Sequence, residues 1–141
     1  MEKFEFASPA WIAALKELLV KYSAAAGPDT SLSICEVFTN VPRHLDKHGN
    51  GTIAWHCIVK NGKLVKFEET AIPEADVRTE VDYHFVLPIA KKVYTPEAMP
   101  EVEAYMAKGV AEGKSKPTGK DRSKVPASFV GMHNDLAVRT L

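Results

Sequence analysis

The sequence predicts a single α+β domain: a helix, four strands, then further helices. Three observations carry that reading. The chain has 141 residues, the usual size of one domain. Helical periodicity opens it, two-residue alternation follows, and helical periodicity returns toward the C-terminus. With 45% hydrophobic and 26% charged residues, it has an ordinary globular composition and can bury a sizeable core without staples.

Ser8-Pro9 is a helix-start signal, since Ser caps well and Pro at the first position loses no hydrogen bond. Trp11, Ile12, Leu15, Leu18, Leu19 and Tyr22 then form one apolar face, and Gly27-Pro28 stops the run. A helix is expected over 9–26. Residues 31–39 alternate as a strand, with Leu32, Ile34, Glu36 and Phe38 on one face. Glu36 is out of place on that apolar side. Either a bulge turns it outward, which is the expected arrangement because buried carboxylates need partners, or it is a polar handle inside a pocket. Residues 40–51 read as a loop.

Strands at 52–60 and 63–70 form a hairpin around Asn61-Gly62. A three-residue loop that pairs Trp55 with Phe67 and Cys57 with Val65 best separates apolar from polar side chains. The expected core face is Ile53, Trp55, Cys57, Val59, Val65 and Phe67. Residues 75–81 alternate as a fourth strand. Asp82 caps a helix running to about Tyr94, kinked or restarted at Pro88. Another helix starts near Pro100 and ends at Gly113. Residues 114–124 carry five basic residues and one acidic one and read as a loop or edge segment. A terminal helix is expected from about Pro126, with a short strand at 125–130 as its alternative.

Charge and cysteine content exclude several classes. Lys+Arg and Asp+Glu both number 18, so the cationic field of a nucleic-acid binder is missing. The two cysteines, Cys35 and Cys57, make neither a disulfide framework nor a Cys-rich zinc site. Lys16 and Glu17 interrupt the first apolar run, which argues against a signal peptide, and no run reaches a membrane span. The chain is read as a cytoplasmic protein that needs no cofactor. His44 and His48 lack a third ligand and an intervening Glu. Cys57 and its neighbour His56 point to opposite faces of a strand. His133 and Asp135 diverge on a helix. No catalytic signature emerges.

Four stretches carry a family resemblance: SICEVFTNVPRHL at 33–45, WHCIVKNGKLV at 55–65, ADVRTEVDYHFVLPIAKKV at 75–93 and MHNDLAVRTL at 132–141. Together they resemble bacterial sterol carrier protein-2-like (SCP2-like) domain proteins. Two features depart from the family pattern: Pro117 and Pro126 interrupt the region of the last strand, and the 40–51 loop is long. The resemblance implies a four- to five-stranded, mainly antiparallel sheet covered on one face by helices. It also implies an apolar tunnel between them for a fatty acid, acyl-CoA, sterol or similar hydrophobic small molecule, and no chemistry.

On that basis the sheet contributes Phe38, Trp55 and Phe67 as candidate wall residues, and the helices contribute Phe85, Met99, Tyr105, Met106, Phe129 and Met132. Methionine suits variable apolar partners. Glu36 and Arg139 are candidates for the mouth, where polar groups orient a ligand. The rival readings are a homodimeric interaction module with a solid core and a small acid–base enzyme using a carboxylate or His133. Transient contact of the basic 114–124 segment with a membrane surface is a further expectation.

Overall fold

The first helix forms as its sequence dictates. In the computed structural model, which describes residues 2–141, α1 spans Pro9–Ala26, and the Ser8 side chain accepts the Trp11 N–H at 3.2 Å. Its apolar face, Trp11, Ile12, Leu15, Leu18 and Leu19, is buried against a sheet.

That sheet has five strands: β1 (Leu32–Thr39), β2 (Thr52–Lys60), β3 (Lys63–Glu68), β4 (Val77–Asp82) and β5 (Ser115–Thr118), in the order β3-β2-β1-β4-β5. It is mixed. The β1–β4 pair is parallel and the other three pairs are antiparallel. The parallel pair exists because the chain leaves β3 and crosses back before entering β4 beside β1, with Val77 opposite Ile34. On the way, Ile72 and Ala75 pack on Cys35, Val37 and Ala54, covering part of the face away from the helices. Asp76 fastens the crossing: its Oδ2 accepts the Ser33 N–H at 2.9 Å, while Ser33 Oγ accepts the Asp76 N–H at 2.9 Å.

The hairpin corrects the sequence reading. Its loop is the two-residue Asn61-Gly62 turn, both residues having positive φ (53° and 76°), the geometry that matches the twist of the flanking strands. Val59 pairs with Leu64, and a bulge at Val65 then sets Cys57 opposite Phe67. The bulge brings Leu64 and Phe67 onto the core side and leaves Val65 55% exposed. Apolar and polar side chains are thus separated by an extra residue within the strand and not by a longer loop.

Three shorter helices complete the covering layer: α2 (Tyr83–Lys91), α3 (Met99–Ala111) and α4 (Phe129–Ala137). The Asp82 carboxylate accepts the Phe85 N–H at 2.9 Å and starts α2, which carries Pro88 within it and ends before Tyr94. Within the basic segment, residues 115–118 form the edge strand β5, where Pro117 is tolerated because its outer side needs no ladder partner. The terminal helix begins at Phe129 instead of Pro126, and no strand forms at 125–130.

Polar residues of the last helix dock it on its surroundings. His133 Nε2 lies 2.7 Å from the Lys92 carbonyl. The Asn134 amide exchanges two hydrogen bonds with the Tyr94 backbone, at 2.7 and 2.9 Å. Asp135 accepts the Tyr22 hydroxyl from α1.

Candidate functional site

Glu36 occupies the middle of the helix-covered face of the sheet. Its backbone pairs without interruption to Trp55 of β2 and to Thr79 of β4, so no bulge turns it outward. Strand alternation then places its carboxyl with Ile34 and Phe38, on the core side. This corrects the outward arrangement expected from sequence. The side chain is enclosed by protein yet keeps part of its surface accessible.

The electrostatics follow from that enclosure. Burial pushes the Glu36 carboxyl up to about 7; the Trp55 indole N–H and the Arg122 guanidinium hold back a larger rise. The Trp55 Nε1–H nevertheless completes no hydrogen bond of ordinary geometry, although the residue is only 2% exposed. Tyr94 faces the same group: burial and the Glu36 charge together push its hydroxyl up to about 12. Its ring stacks on His133 with centroids 3.7 Å apart. Burial holds the His133 imidazole below its ordinary value, which favours the neutral ring.

The predicted wall residues fall into groups. Trp55 and Phe67 stack at 5.7 Å beside Glu36. Tyr105 and Phe85 stack at 4.6 Å, and the Tyr105 hydroxyl donates to the Phe85 carbonyl at 2.8 Å. Met106 and Met132 are half-buried and pack against the core. Phe38 and Phe129 are filled-core residues, and Phe38 contacts Phe6 and Trp11 in an aromatic cluster. Met99 is half-buried at the start of α3. Arg139 lies over the Phe4 ring at 5.1 Å. The cation acting on Glu36 is Arg122, from the 3-10 turn at Arg122–Lys124.

Sequence reasoning missed both Arg122 and Tyr94. Arg122 was one basic residue among five in a segment without periodicity, and Tyr94 lies in a connection between helices. The Asn134 exchange with the Tyr94 backbone, spanning 40 residues of sequence, has no local signal.

A separate cleft of about 510 Å³ opens on the opposite face, between the 44–50 loop, Val37, Ala54 and residues 69–71. None of the eleven predicted site residues lines it. Two of its rim side chains are paired: His44 with Glu5 at 2.7 Å and Lys47 with Glu69 at 3.7 Å. Both cysteines are free and buried, and burial pushes the Cys57 thiol up to about 12, far from a nucleophilic thiolate.

A solved structure of a conserved hypothetical protein of Thermus thermophilus, a candidate sterol carrier protein, superimposes over 97% of this chain and 93% of its own, with a TM-score of 0.57 and 14% identity. Sterol carrier protein 2 superimposes over 94% and 95%, with a TM-score of 0.50 and 15% identity. The fold is that of sterol carrier protein 2. No protein-family model matches the chain, and no curated protein matches it by sequence. At this identity the likeness establishes the SCP2-like architecture of mixed sheet and covering helices. Among the described residues, no helix is long and apolar enough to cross a membrane.

Proposed function

We propose that the protein binds and carries a hydrophobic small molecule between its sheet and its helices, without chemistry. One observation carries this reading: an enclosed carboxyl stands beside an enclosed indole N–H that completes no hydrogen bond of ordinary geometry. Buried polar groups are normally satisfied, and each exception calls for a reason. A ligand with one polar end supplies it. The apolar remainder would lie against Phe67, Tyr105, Met106 and Met132, the half-buried residues of the covering layer and sheet. Binding free energy then comes from apolar burial, about 25 cal/mol per Å² before ordering costs.

The SCP2 fold supports the same reading as an analogy of architecture. Of the acid–base candidates, His133 is engaged structurally: it holds the Lys92 carbonyl and stacks on Tyr94. Native mass spectrometry of fresh protein, before and after organic extraction, tests the proposal. A ligand of lipid mass that extraction removes is expected. Re-addition at a hundred times Kd should stabilise the fold by about 2.7 kcal/mol. A clean protein mass, with no thermal shift across acyl-chain and sterol compounds, would overturn it.

A further inference from the structure

Trp55, Glu36 and Thr79 stand side by side across β2, β1 and β4. Their side chains share the helix-covered face with Cys57, Phe38 and Val81. This transverse row places a hydrogen-bond donor, a carboxyl and a hydroxyl within an otherwise apolar layer. The indole N–H can only donate, and a carboxylate can only accept. One ligand group satisfies both together: a hydroxyl, whose oxygen accepts from Trp55 while its hydrogen is donated to Glu36.

A carboxylate ligand fits this row poorly. It would accept from Trp55 but set a second negative charge against Glu36. Among the described residues Glu36 has no ion-pair partner within 4 Å. The charged or titratable groups found to act on it, or to feel its charge, are Arg122 after β5, Tyr94 between α2 and α3, and Cys57 of β2. Tyr94 and Cys57 are neutral at physiological pH. Arg122 is exposed, where water weakens its compensation.

We infer that the Trp55–Glu36–Thr79 row selects lipids ending in an uncharged hydroxyl and disfavours those ending in a carboxylate. The inference rests on the carrier reading above and narrows it to a ligand class. Burial of the Glu36 carboxyl adds a pH dependence. Near neutral pH the group is partly ionised, so discrimination against carboxylates strengthens as pH rises through 7.

Equilibrium dialysis of the intact protein against dodecanol and dodecanoate, near pH 8, tests this. Dodecanol is expected to bind at least about tenfold more tightly, because like charges brought together at a desolvated site repel strongly. Glu36→Gln keeps the shape and removes the charge. It should bring the two affinities within about threefold by improving dodecanoate. Thermal melting of the variant confirms that it folds. Equal affinities in the unaltered protein, or a preference that persists in Glu36→Gln, would overturn the selectivity and leave the carrier reading standing. Binding of neither compound, with no extractable ligand, would remove both.

Discussion

Asp76 and Glu36 are carboxylates with opposite environments, and pH should separate them. Burial raises the Asp76 pKa, but the Ser33 N–H and the Lys124 ammonium at 3.3 Å outweigh it, so the group lies below its ordinary value. Its stabilisation is therefore present above the unfolded pKa and lost as pH falls through the folded one. Asp76→Ala should cost about 1–3 kcal/mol near neutral pH, and the difference from the unaltered protein should shrink in acid, as urea melts would record. Glu36 runs the other way. Its folded pKa of about 7 lies above the ordinary 4.5, so the folded state binds more protons between those values. Stability contributed by the protonated form fades as pH rises through that window. Glu36→Gln should match the unaltered protein near pH 4. Above pH 7 it should be the more stable, by at most about 3 kcal/mol at 1.36 kcal/mol per pH unit. Equal stability at both ends would show that Glu36 is well solvated.

Each element shows how far local pattern reaches. The first helix was legible to the residue, because a Ser-Pro start, one apolar stripe and a Gly-Pro stop all agree. The hairpin was legible as a pair of strands but not in register. A bulge at Val65 and a longer loop both rescue the apolar pattern, and only tertiary packing chooses between them. The edge strand β5 was hidden by Pro117 and by its charge. Within α3, Gly109 is legible only in space. A Cβ there would run into the Phe85 ring, which stacks on Tyr105. Gly109→Ala gains about 1 kcal/mol in helix propensity, yet it should lower the melting temperature because the rigid ring must move. A rise in melting temperature would show that α3 can slide away from Phe85 freely.

At the scale of the whole molecule, the architecture followed from element order, whereas the site did not. Helix, strand, hairpin, strand and helices suffice to suggest the SCP2-like arrangement, and the superpositions support it. The site depends on a single carboxylate whose direction is set by uninterrupted pairing on both sides of β1. Its partners come from segments that carry no periodic signal. The central claim is that a ligand lies against that carboxylate, on the helix side of the sheet. Indole N–H resonances test it most directly, since the chain has two tryptophans. Trp11 Nε1–H is already committed to Thr140 Oγ1 at 3.1 Å, while Trp55 Nε1–H has no completed bond. On addition of a lipid alcohol, the Trp55 indole signal should move downfield and become protected from exchange, with the Trp11 signal nearly still. Saturable binding that leaves the Trp55 signal unmoved, while shifting Thr52, Ala54 and Thr70 on the opposite face, would contradict the account and place the ligand in the other cleft.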